Sequence, residues 1–141
     1  MCIRDRVDGT FTLAPNGNGA VTIVNDAGLN LAASTMGGTF TGTATTGNIT
    51  DSGALAITGT TTLVTSANDA TITLDTATNA FTGAITITTN DASGTDADVV
   101  IDGGTTALDI AASTVDGNLT LTTGHASVSY THLTLPTIYS V

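Results

Sequence analysis

Carboxylates are almost the whole chemical repertoire of this chain. Its twelve acidic residues are all aspartate, set against two arginines, two histidines and one cysteine in 141 residues. Asp96, Asp98 and Asp102 form the densest acidic group, and their alternation places Asp96 and Asp98 on one face of an expected strand. Paired carboxylates hydrolyse glycosides when one acts as acid and the other as base or nucleophile. Such a site needs aromatic rings to hold the sugar and basic groups to tune the acids, and this stretch has neither. Asp96-Ala97-Asp98 also offers oxygen ligands of the kind calcium prefers. No EF-hand loop and no Gly-Gly-x-Gly-x-Asp coil accompanies it. These acids therefore read as solvated surface, and no catalytic, cofactor or metal residue is assigned; a calcium-dependent module stays as an alternative.

The remaining reactive residues are isolated. His125 has no partner histidine or cysteine nearby in the sequence and reads as a loop residue. Asn48-Ile49-Thr50 and Asn118-Leu119-Thr120 match the N-glycosylation pattern, a pattern expected by chance in a chain so rich in Thr and Asn. No apolar run approaches the ~18 residues of a membrane helix. Nucleic-acid binding requires Lys or Arg against phosphate, and the two arginines sit together at Arg4 and Arg6. A formal charge of −10 keeps the surface soluble and self-repelling.

The elements that must carry these residues are strands. Phe11/Leu13, Val21/Ile23, Leu29/Leu31, Leu55/Ile57, Ile72/Leu74, Ile85/Ile87, Val99/Ile101, Leu108/Ile110 and Leu119/Leu121 are apolar residues two apart, separated by polar or small ones. Period two means one face turned inward, and the flanking threonines suit a pleated surface. Turn residues such as Asn16-Gly17-Asn18-Gly19, Gly37-Gly38, Asp51-Ser52-Gly53 and Gly103-Gly104 punctuate the strands about every ten positions. Leu29-Asn30-Leu31-Ala32-Ala33-Ser34-Thr35 returns 79 residues later as Leu108-Asp109-Ile110-Ala111-Ala112-Ser113-Thr114. Phe40-Thr41-Gly42 returns 41 residues later at Phe81, and Asn-Asp-Ala begins at Asn25, Asn68 and Asn90. These offsets are near multiples of 20 to 22, the length of a short solenoid coil. The expectation is an all-β solenoid of about six coils of roughly 20 residues, each stable only against its neighbours.

The two ends have a different character. Written as ATG TGT ATA AGA GAC, Met1-Cys2-Ile3-Arg4-Asp5 has a reverse complement that translates as Val-Ser-Tyr-Thr-His, the residues at Val128-Ser129-Tyr130-Thr131-His132. Both strings resemble the adapter that a transposase joins to DNA fragments, and Leu133-Thr134-Leu135-Pro136-Thr137 resembles its continuation. Residues 1–6 and 128–141 are therefore set apart from the repeat segment, residues 7–127. That segment keeps eleven of the aspartates and has no Lys, Arg, Cys, Tyr, Trp, Glu or Gln. Strand is nevertheless expected to extend over Val128 to Tyr139 on β-propensity alone.

Within residues 7–127, Leu29 to Thr35 with Gly37-Gly38, Ile49-Thr50-Asp51-Ser52-Gly53-Ala54-Leu55, Thr58-Gly59-Thr60-Thr61-Thr62-Leu63 and Ala80-Phe81-Thr82-Gly83-Ala84-Ile85 resemble the strand repeats of giant filamentous-haemagglutinin-like bacterial exoproteins. The resemblance implies a right-handed parallel β-helix, export from Gram-negative bacteria, and a role in adhesion or biofilm. It carries no catalytic residues. The function expected is a non-enzymatic stalk segment of a secreted or cell-surface adhesin, whose partners are neighbouring coils and, on its outward Thr and Asn rows, host or surface glycans and proteins. A fragment of a carbohydrate-active β-helix enzyme is the rival of a different class.

Overall fold

The structure is a computed structural model that describes residues 1–92, 96–125, 128–130 and 132–135. Strands wind in successive turns. The first holds β1 (Cys2–Asp5) and β2 (Thr10–Phe11), and the second β3 (Val21–Asn25), β4 (Leu29–Leu31) and β5 (Ser34–Met36). Next come β6 (Phe40–Ala44), β7 (Ile49–Asp51) and β8 (Leu55–Ile57), then β9 (Thr61–Asn68), β10 (Ile72–Leu74) and β11 (Ala80–Phe81). The chain continues with β12 (Ile85–Asn90) and β13 (Val99–Asp102), then β14 (Leu108–Ile110), β15 (Ser113–Thr114) and β16 (Leu119–Thr122), and last β17 (Val128–Tyr130) and β18 (Leu133–Thr134).

From β3 to β13 every third element lands on its own kind. One sheet runs β1-β3-β6-β9-β12-β14-β17, with β15 beside β12 and β18 beside β15; a second runs β2-β4-β7-β10-β13-β16, and a third β5-β8-β11. The pairings are parallel, and the connection between paired strands is one full turn of the coil. This is a β-solenoid of about six turns, as the spacing of the aliphatics predicts.

Alternation explains the packing. In β3, β4, β6, β8 and β10 the residues alternate between buried and half-buried, so each strand sends one set of side chains into the column. All the aliphatic pairs named above are buried except Leu119 and Leu121, which are half-buried in β16, the last strand of its sheet. In register, Leu29 lies under Ile49, Ile49 under Ile72, Ile72 under Val99 and Val99 under Leu119. Met36, Phe40, Ala44, Ile49, Leu63, Phe81 and Val115 complete the core. Gly42 occupies an inward position where a Cβ would come within 2.9 Å of the Phe40 ring, so that ring fills the glycine's space.

The turns are not equal. The first sheet advances 20 residues from Cys2 to Thr22, 19 from Val21 to Phe40 and 21 from Phe40 to Thr61. It then advances 24 to Ile85 and 25 to Ile110 before returning to 20 at Tyr130. Part of the extra length enters at a register shift, where Val64 to Asn68 of β9 faces Thr88 to Asn90 of β12, and the rest lies at corners between strands. Asp69 turns one of these corners with φ of 62°, in the left-handed region that aspartate tolerates better than most residues.

Uneven turns explain why two of the three sequence repeats are out of phase with the coil. Leu29 to Thr35 spans β4 and β5, passing from the second sheet to the third, whereas Leu108 to Thr114 spans β14 and β15 on the first. Phe40 opens a strand of the first sheet, and Phe81 closes one of the third. Asn25, Asn68 and Asn90 each end a strand of the first sheet, but only Asn68 and Asn90 are in register; buried Asn25 stacks through Ala44 on Thr65. The phrase encodes a local corner, and a coil with several corners accepts it at more than one. Ser34 Oγ donates to the Ala32 carbonyl at 2.8 Å and accepts the Leu13 N–H of the turn below at 2.9 Å. Ser113 does the same with the Ala111 carbonyl at 2.8 Å and the Ile87 N–H at 3.0 Å.

A column of glycines marks the entry to the first sheet. Gly19, Gly38, Gly59 and Gly83 each stand two residues before a strand, ahead of Val21, Phe40, Thr61 and Ile85. A Cβ on Gly59 would lie 2.4 Å from the backbone of Gly38, and one on Gly83 would lie 2.5 Å from that of Gly59. Backbone passes over backbone there at a distance that only glycine permits.

β17 and β18 fall within Val128 to Tyr139, where strand is expected from propensity, and pair with β14 and β15; Thr131 and 136–141 lie outside the described residues. Met1 to Asp5 also pairs, with Cys2 to Asp5 registered on Thr22 to Asn25.

Candidate functional site

The acidic group singled out in the sequence is not one site. Asp96 and Asp98 precede β13 rather than sharing a strand face. Asp96 is exposed, its carbonyl accepts the Asp98 N–H at 2.9 Å, and the fully buried Ala97 between them turns the chain inward. Asp102 stands at the opposite end of β13. Asp98 Oδ1 accepts the Asn118 N–H of the next turn at 2.7 Å, and Asp102 Oδ1 accepts the Gly104 N–H at 2.7 Å. The in–out alternation of β13 continues back through buried Ala97, so both acids stay on the outer side, but residues 96–98 form a tight turn ahead of the strand and not part of it.

Asp51 and Asn79 form the most connected polar cluster. Asp51 carboxylate oxygens accept the Asp75 N–H at 3.2 Å, the Thr76 N–H at 3.3 Å and the Asn79 Nδ2 at 2.6 Å. Asn79 is buried, and its Oδ1 accepts the Leu55 N–H at 2.8 Å. Asn25 plays the same part between the first two turns. Its Nδ2 donates to the carbonyls of Val7 at 2.8 Å and Gly28 at 2.6 Å, while its Oδ1 accepts the Val7 N–H at 2.8 Å. At these corners the ladder is interrupted and buried amide groups need other partners. Side chains from the adjacent turn supply them. Sequence reading noted the recurrence at Asn25 but assigned it no role, and nothing in the alternation marks Asn79.

A second carboxylate group, carried by two copies of the Asn-Asp-Ala recurrence, lies on the outer corner after β9 and β12. Asn68 is registered on Asn90, so Asp69 and Asp91 follow one above the other, with the Asp69 N–H on the Asn90 carbonyl at 3.0 Å. Asn90 Nδ2 donates to Asn68 Oδ1 at 2.7 Å, and Asp116 Oδ2 accepts the Asp91 N–H at 3.3 Å. The hydrogen bond to the Asp91 side chain raises the Asp69 carboxyl above the usual aspartate range, followed by desolvation and the charges of Asp91 and Asp96. One oxygen of each, Asp69 Oδ1 and Asp91 Oδ1, is enclosed without a hydrogen-bond partner. Among the described residues no three His, Cys, Asp or Glu are grouped to hold a metal ion.

The other sequence candidates are scattered. His125 is exposed, and its N–H meets Thr123 Oγ1 at 3.0 Å. Asn48 and Asn118 are exposed at turns, and Asn48 Oδ1 accepts the Thr71 N–H at 2.9 Å. Cys2 is exposed, and Arg6 pairs with Asp8 at 3.2 Å on the surface. An open depression of about 340 Å³ is lined by Asp8, Thr10, Gly28, Asn30 and Thr50, with Asn30 Oδ1 unpartnered; it contains one carboxylate and no base. No helix among the described residues is long and apolar enough to cross a membrane.

A stack of parallel turns whose polar side chains mostly tie one turn to the next defines a β-solenoid repeat protein. Residues 18–88 match the model of a family described as repeats of unknown function (DUF5649), and the chain belongs to that family. The match covers β3 through most of β12. No curated protein and no solved structure gives a match.

Proposed function

We propose that the chain is a non-enzymatic stalk segment of a secreted or cell-surface bacterial adhesin of the filamentous-haemagglutinin-like kind. The observation that carries this reading is how its carboxylates are used. Asp51, Asp98, Asp102 and Asp116 accept backbone N–H groups at corners, three of the four from a neighbouring turn. A group committed to bridging turns stiffens the column and is not presented to a substrate. Stacking that buries each aliphatic against its equivalent suits a spacer, because length grows by adding turns without redesigning the core.

In this reading residues 7–127 are the biological segment, and residues 1–6 and 128–141 derive from adapter DNA. Amplifying and sequencing source DNA across both junctions tests the two parts separately. A parent gene with many further coils and a secretion domain supports the stalk. One with a single stretch rich in aromatics and bases replaces it with a carbohydrate-active enzyme. Genomic sequence that encodes Met1 to Arg6 and Val128 to Val141 in frame removes the adapter origin. Antibody labelling of intact cells checks location, and an antigen found only after lysis sinks the surface assignment.

A further inference from the structure

We propose that the outer face of β3, β6, β9 and β12, the neutral stretch of the first sheet between Arg4 and Asp109, is an ice-binding surface. Thr22, Thr41, Thr62 and Thr86 are Cα partners from rung to rung, and so are Val24, Thr43, Val64 and Thr88. Eight outward residues on four consecutive strands thus form two rows, six of them threonine. Rungs of a sheet repeat at ~4.8 Å, and residues two apart on a strand lie ~6.6 Å from each other. The oxygen repeats on the growth faces of hexagonal ice fall in the same range. The register runs unbroken through this array, and its one shift lies beyond Thr88.

Chemistry and rigidity point the same way. A β-branched side chain on a strand is restricted at χ1, so the hydroxyls and methyls hold fixed directions and lose little freedom on binding. No side-chain hydrogen bond within the protein engages any of the six hydroxyls among the described residues, which leaves them for water. The array is also uncharged in a chain with twelve carboxylates. Asp26, Asp69 and Asp91 all fall just past the strand ends. A charged side chain keeps its own hydration shell and disrupts a neutral lattice. The array has no aromatic residue, which separates it from a surface built to stack sugar rings. On the second sheet the outward residues Thr10, Asn30, Thr50, Thr73, Val100 and Thr120 form a single row, so that face is the internal control. This assignment does not rest on the stalk reading.

Recrystallisation of ice in thin frozen films of the full chain, with partition of the protein into a slowly grown ice hemisphere, tests it. The folded chain, verified by circular dichroism, is expected to keep crystals small and to enter the ice. Paired Thr41→Lys and Thr62→Lys should lower that activity at least about tenfold, and Thr73→Lys on the second sheet should leave it unchanged. Paired Thr41→Ser and Thr62→Ser, which keeps the hydroxyls and removes two methyls, should also weaken it and covers the case in which the lysine pair unfolds. The assignment is overturned if the folded chain is excluded from ice. It is equally overturned if Thr73→Lys is as damaging as the first-sheet pair, or if the chain prefers crystalline cellulose to ice.

Discussion

Asn79 shows how a single polar side chain can matter more than any of the surface acids. It satisfies the buried Leu55 N–H and donates to the Asp51 carboxylate in the turn below. Asn79→Ala removes both interactions and strands a buried donor, which costs about 1–3 kcal/mol; urea unfolding followed by circular dichroism should show a lower midpoint. Asp69 acts in the opposite sense. Its folded-state carboxyl is held above the ordinary aspartate range, first by the Asp91 hydrogen bond. The folded chain therefore binds that proton more readily than the unfolded chain. Stability gained from this group appears as pH falls through the raised value toward the ordinary one, and the full penalty stands above it. Asn tolerates the left-handed backbone at this corner, so Asp69→Asn should melt higher than the parent at neutral pH, with the difference closing on acidification. Equal melting temperatures at neutral pH would remove the carboxyl pair as a destabilising contact. Because no three acids are grouped around a common point among the described residues, a chelator should leave the melting curve of the parent unchanged, and a drop would reinstate calcium.

Between strands, the corners decide what the elements can be. Gly59 lies where its Cβ would meet the backbone of the turn below and where Gly83 passes above it. Gly59→Ala forces both crossings apart, an overpacking that costs about 1–3 kcal/mol. Gly17→Ala provides a contrast: no heavy atom lies within 4 Å of its Cβ, but its φ of 70° adds backbone strain. Loss at Gly59 well above that at Gly17, measured as urea midpoints, separates crowding between turns from strain within one. Strand positions were legible in the sequence because burial imposes period two, and Leu29/Leu31 or Ile72/Leu74 declare it without help from neighbours. Sheet assignment was not legible. A phrase such as Leu108 to Thr114 specifies a bend and its serine plug, while the face it occupies depends on residues accumulated at earlier corners. Asn79 was invisible for a related reason. Its role is set by what lies one turn away, 24 residues earlier at Leu55 and 28 at Asp51, and no local pattern records that distance.

Taken whole, the molecule is a column whose two halves of the polar surface have different tasks. Several carboxylates sit at corners and hold turns together, while the outward rows on β3, β6, β9 and β12 stay neutral, flanked by Arg4 on β1 and Asp109 on β14. Reading Asp96, Asp98 and Asp102 as solvated surface fits exposed Asp96 and is too simple for Asp98 and Asp102, whose carboxylates accept backbone N–H groups. The outward threonine rows were visible as a composition but not as a lattice, because register appears only when the turns are stacked. Single-coil deletion tests the independence of the halves: removing one full turn, residues 38–58, restores the register of Gly59 on Gly19 and should leave a folded, shorter column by circular dichroism. Complete unfolding of that variant would mean that the turns are not interchangeable.

Unequal turn length has a mechanical consequence. Strands lie across the long axis, so a pull on the two ends peels one turn at a time, breaking its ladder in sequence, instead of shearing all ladders together. Each ordinary turn of about 20 residues should release a contour of ~70 Å, and the turn that carries 25 should release ~85 Å. Stretched by a cantilever, the column should give a sawtooth whose longest teeth come from the fourth and fifth of its six turns, a length signature that marks this stretch of chain.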